Sequence, residues 1–210
     1  MRWTGWLIAV VAVAGLCWRF PLFRVVSLEQ AAQAKDAAVF DPKKFAETFW
    51  SARLPYAFSN AVPAEVLLPT IQTNAAEAKQ KFSRTVGVSE SYTYFLSGKG
   101  RVLSVTEDEV LLGMTATATN AEVSLQTGLL FSTAVRDAPG VLNVNDYPSS
   151  QDFNAISEAL NRIVEERVQP KLREQARVGA TIEFVGCAEV NDESADLQPL
   201  KVVPIQVATP

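Results

Sequence analysis

The 210-residue sequence has no histidine and only two cysteines, Cys17 and Cys187. Without histidine there is no Ser-His or Cys-His nucleophile system, no imidazole acid or base, and almost no route to a zinc site. Cys17 stands in an apolar N-terminal run and Cys187 in a strand-like one. The fold is therefore expected to need no disulfide, metal or cofactor, with Cys187 a small core residue. Basic charge is scarce as well. Three of the 19 Lys and Arg residues, Arg2, Arg19 and Arg24, precede residue 25, which leaves 16 against all 23 acidic residues beyond it. An acidic body is a poor match for nucleic acid or anionic lipid, since both select basic surfaces. Internal repeats and low-complexity tracts are also lacking. At 48% hydrophobic the chain is too apolar to be disordered, and its length suits one substantial domain or two small ones.

What is present begins at the N-terminus. Residues 3 to 18, WTGWLIAVVAVAGLCW, form an uncharged apolar run behind Arg2, with Trp3, Trp6 and Trp18 near its ends. The run is close to the minimum for crossing a bilayer, and indoles favour the headgroup level. Residues 1–24 are expected to be an uncleaved signal anchor, holding the body in the periplasm at a bacterial inner membrane. Cleaved secretion and lipid attachment at Cys17 are the competing readings. Leu16 stands where a lipidation motif needs a small residue, which speaks against acylation of Cys17.

Residues 25–91 read as a connector and a helical segment. Asp41-Pro42 is a helix start, with Phe45, Phe49, Trp50 and Leu54 at helical spacing until Pro55. Further helices are expected over about 63–73 and 74–86. From Tyr92 the spacing changes to alternation. Strands are expected at 92–96, 100–105, 110–119, 121–125 and 129–135, with a turn or bulge at Ser97-Gly98-Lys99-Gly100. One long amphipathic helix follows from Ser149, carrying Phe153, Ile156, Leu160, Ile163, Val164 and Val168, interrupted near Pro170 and ended by Gly179. Strands resume at 180–190 and 200–208. That order, within an α+β chain, predicts an OB-like antiparallel β-barrel over 92–210 with one long helix inserted before the last strands.

Five segments in series carry a resemblance: FDPKKFAETFWSARLP (40–55), SGKGRVLSV (97–105), TAVRDAPGVLNVNDY (133–147), FNAISEALN (153–161) and VGATIEFVG (178–186). Together they resemble the predicted periplasmic lipoproteins called domain of unknown function 2291, across roughly residues 25 to 210. The resemblance implies an OB-like fold and a genetic neighbourhood of sugar-type ABC transporters. It carries no activity. The function expected is that of a membrane-anchored, non-enzymatic accessory or binding module linked to sugar uptake, whose partner is an ABC transporter. The alternative is a structural or assembly module that binds another envelope protein.

The best polar constellation is Arg136-Asp137 with Asn145 and Asp146, flanked by Asn143 and Tyr147. A guanidinium fork, carboxylates and amides suit sugar hydroxyls or a partner, and equally suit a loop held by caps and buried hydrogen bonds. Carboxylate pairs for glycoside hydrolysis, as Asp137 with Asp146, arise by chance among so many acids. Glu107-Asp108-Glu109 and Asp192-Glu193 lack a spaced calcium loop, and Gly98-Lys99-Gly100 lacks phosphate-loop spacing. Tyr92, Tyr94 and Phe95 form the one aromatic cluster suited to stacking on single-stranded nucleic acid, in an acidic field.

Overall fold

The structure is a computed structural model that describes residues 40–86, 90–115, 117–147 and 149–209. The expected anchor at 1–24 and Cys17 lie outside these residues. Among those described, no helix is long and apolar enough to cross a membrane.

Asp41 starts helix α1 (Pro42–Thr48) as expected, its carboxylate accepting from the Lys43 and Lys44 amides at 3.0 and 3.1 Å. Pro55 does not end the helical path. The turn before it widens into a π-helical turn over Phe49–Arg53, where the Leu54 amide reaches back to the Phe49 carbonyl. A short helix α2 (Leu54–Ala57) then takes Pro55 into its first turn, where a missing N–H costs nothing. Strand β1 (Val62–Pro63), helix α3 (Ala64–Thr73), helix α4 (Ala75–Phe82) and strand β2 (Ser83–Arg84) follow. The Asn74 side chain caps α4 by accepting from the Glu77 amide at 3.2 Å.

Strand β3 runs unbroken from Tyr92 to Val105, so the expected turn at 97–100 is corrected. Gly98 is glycine for close approach: a Cβ there would lie 2.9 Å from the Ala64 Cβ and 3.0 Å from the Phe184 ring. The turn signal misled because glycine serves tight turns and tight packing alike. Strands β4 (Glu109–Gly113) and β5 (Val123–Gln126) are shorter than expected. Residues 129–135 are not a strand. Residues 129–132 carry no regular structure, and the run ends inside helix α5 (Ala134–Asp137). The long helix α6 (Ser150–Arg167) begins with a capping box in which the Ser149 hydroxyl accepts from the Asp152 amide and donates to its carboxylate. It breaks at Val168 and continues as α7 (Gln169–Gln175). Strand β6 (Thr181–Val190), helix α8 (Glu193–Asp196) and strand β7 (Leu200–Ala208) complete the order.

The small antiparallel barrel expected from the sequence is corrected to one seven-stranded mixed sheet. Long β3 pairs antiparallel with β6 over 92–101 and with β4 over 101–105. Pairs β4–β5 and β6–β7 are antiparallel, whereas β5–β7 and β1–β3 are parallel. One core joins Leu67, Leu68 and Ile71 of α3 to Tyr94, Leu96, Leu112, Leu125, Ile182 and Val202 of the sheet. Cys187 is fully buried as well, and burial pushes its thiol pKa up. Tyr92, Tyr94 and Phe95 are buried too, so these three rings offer no stacking platform to a base.

Candidate functional site

Helix α5 is a single turn set between the 128–133 segment and the start of α6. Its Arg136 and Asp137 side chains are 6% and 7% exposed. Arg136 Nε donates to Asp137 Oδ1 at 2.6 Å and Nη2 to Oδ2 at 2.8 Å. Nη1 donates to the Phe153 carbonyl at 3.0 Å and to Asn154 Oδ1 at 3.1 Å. Four of the five guanidinium N–H groups are thereby used, and the cation also lies 3.8 Å above the Phe153 ring. Tyr147 packs on that same ring, with centroids 5.1 Å apart, and meets Phe45 of α1 edge-on at 5.7 Å. Burial raises its phenol pKa, and Arg53 opposes the rise.

Asn145 and Asp146 stand elsewhere. They are exposed, in a 3₁₀ turn over Val144–Asp146 where Asn143 Oδ1 accepts from the Asn145 amide at 3.0 Å. No hydrogen bond or ion pair joins either residue to Arg136 or Asp137 among the described residues. The sequence-stretch constellation therefore divides into a buried ion pair and an exposed Asx turn. A polar recess of about 140 Å³ adjoins the pair, lined by Arg84, Tyr92, Thr133 and Glu189 among others. Glu189 is occupied: it accepts from the Ser132 hydroxyl at 2.7 Å and the Thr133 amide at 2.8 Å.

A second arrangement was not singled out in the sequence. Side chains spaced by four along α6 and α7 grip the backbone of residues 127–132. Asn161 Nδ2 donates to the Ser132 carbonyl at 2.9 Å, and Glu165 accepts from the Leu130 amide at 2.8 Å. Gln169 Nε2 donates to the Gly128 carbonyl at 2.8 Å, and Arg173 Nη2 to the Thr127 carbonyl. The helix thus does for this segment what a neighbouring strand does in a sheet. Alternation sends Leu130 inward, 6% exposed, and holds Leu129 and Phe131 out at 78% and 94%. The signal that betrays it is the polar i, i+4, i+8, i+12 series beside the apolar stripe.

A model of the family described as predicted periplasmic lipoprotein, domain of unknown function 2291, matches residues 7–208. The chain belongs to this family. Its fold is also similar to that in a crystal structure of an OB-fold protein from Thermotoga maritima, which is 25% identical. That likeness has a TM-score of 0.72 and covers 82% of this chain and 99% of the other. A search of curated proteins gives no match. The family description agrees with a place in the cell envelope.

Proposed function

We propose that this family member is a non-enzymatic accessory module of sugar-type ABC uptake, tethered to the inner membrane through residues 1–24, and that it docks a protein instead of holding the solute. The supporting observation is that Arg136, buried with its partner Asp137, spends four of its five N–H groups on Asp137, Phe153 and Asn154. A sugar site needs convergent polar groups with free valences, and here the guanidinium keeps a single N–H while its carboxylate partner is only 7% exposed. The sugar-uptake link rests on the family resemblance. Crosslinking and pull-down of the tagged full chain from native membranes test the reading, with transporter subunits the expected catch. Recovery of unrelated envelope proteins alone would make it an assembly module. A sugar-dependent rise in melting temperature of the purified chain would count against docking as its mode of action.

A further inference from the structure

We propose that residues 127–132 form a rigid docking ridge for a protein whose receiving cleft is apolar and rimmed by basic side chains. This inference rests on the docking reading above and names the surface and the partner's chemistry.

Two large apolar side chains, Leu129 and Phe131, stand in water at 78% and 94% exposure, one residue apart on the same side of the segment. Such exposure on a floppy loop would carry little weight. Here the backbone beneath them is fixed at four points by Asn161, Glu165, Gln169 and Arg173. The N-terminal end is held a second time, because the Asp108 carbonyl accepts from the Thr127 and Gly128 amides at 2.7 and 3.1 Å. The ordering cost of a binding loop is met during folding, so apolar burial by a partner is not spent on it.

Charge names the partner. The Asp108 carboxylate lies against Gly128, where a Cβ would sit 2.6 Å from Oδ1, and the Glu107 carbonyl accepts from the Thr127 hydroxyl. Glu165 touches the ridge at Leu130 and Glu189 at Ser132 and Thr133. Against these three carboxylates, with that of Glu107 next to Asp108 in the chain, the one cation bonded to the segment among the described residues is Arg173. An apolar pair in an acidic setting repels anionic headgroups and favours a cleft edged with Lys and Arg.

The test places the photocrosslinker p-benzoylphenylalanine at position 131 of the full chain in native membranes and maps the crosslinked peptide by mass spectrometry. The expected adduct is to one identified protein, within a peptide carrying Lys or Arg beside apolar residues. Its yield should fall about tenfold in the Glu107→Lys, Asp108→Lys double variant. Leu129→Ser with Phe131→Ser should abolish the adduct partner's recovery in pull-downs while leaving the melting temperature unchanged. An adduct to lipid, to a second copy of this chain, or to a peptide without basic residues overturns the proposal, as does no adduct or indifference to charge reversal. If transporter subunits still co-purify with the double serine variant, the accessory reading stands and the ridge fails. If no protein co-purifies with the unaltered chain, both fail.

Discussion

Arg136 and Asp137 are neighbours in the chain, and their side chains turn back on each other in a two-pronged pair with contacts of 2.6 and 2.8 Å. Adjacent residues on a strand point to opposite faces, so this pairing needs the helical turn of α5. The pair is shut away from water, and Phe153 and Asn154 bind it to the first turn of α6.

Arg136→Ala leaves the Asp137 carboxylate buried without its counter-charge. Thermal or urea unfolding should show a loss of about 3–5 kcal/mol. Arg136→Lys should recover little of it, since an ammonium cannot fork to both carboxylate oxygens and reach the Phe153 carbonyl as well. A loss near that of an exposed pair, at most about 1 kcal/mol, would show that the pair does not hold α5 to α6.

Glu165→Ala removes the acceptor of the Leu130 amide and should cost about 1–3 kcal/mol. Hydrogen exchange gives the sharper readout. The amide of Leu130 should exchange faster, while the β3–β6 ladder keeps its protection. Uniform acceleration across the sheet would mean that the ridge and the sheet open as one unit.

How far these features could be read from the sequence depends on how local their causes are. The Asp41 cap, the Ser149 capping box and the apolar stripe of α6 were legible because each is set by residues within a turn or two. Gly98 and the 129–135 run were misread for the opposite reason. Gly98 answers to Ala64 and Phe184, which approach it only in the finished fold. Leu129 to Val135 has strand composition, but α6 side chains take its backbone bonds, so it joins no ladder. At the candidate site, Arg136 pairs with Asp137, a contact between chain neighbours that the sequence lays side by side. Asn145 and Asp146 were grouped with them by closeness in sequence, and the Asx turn at Asn143 carries them elsewhere.

Gly98→Ala should be destabilising by about 1–3 kcal/mol, because the new methyl meets the Ala64 Cβ and the Phe184 ring within 3.0 Å. Combining it with Ala64→Gly removes one of the opposing groups. The double variant should then be more stable than the two single losses added together, as measured by unfolding midpoints.

Helix α8 should respond to acid. The hydroxyl and amide of Ser194 hold the Asp192 carboxyl below its usual value. At Asp196 burial pushes the pKa up, but the Asp192 and Asn191 amides and Lys201 outweigh it, and the net direction is down. Both groups bind protons less readily folded than unfolded. Their contribution is complete above the unfolded carboxylate value of about 3.9 and is lost as pH falls through the folded values. Protection factors of the Asn191 and Asp192 amides, taken against intrinsic exchange at each pH, should therefore fall below that pH, and Asp196→Asn should flatten the dependence.

The parallel pairing of β5 with β7 sets the timing of folding. Val123 meets Leu200 and Leu125 meets Val202, while β6 takes its second neighbour from the same β7. Synthesis delivers residues 200–208 after everything they complete, so until they emerge β5 and β6 each keep a bare edge and Val202, Val203 and Ile205 are missing from the interior. Both edges, and that part of the interior, therefore close only once residues 200–208 are available.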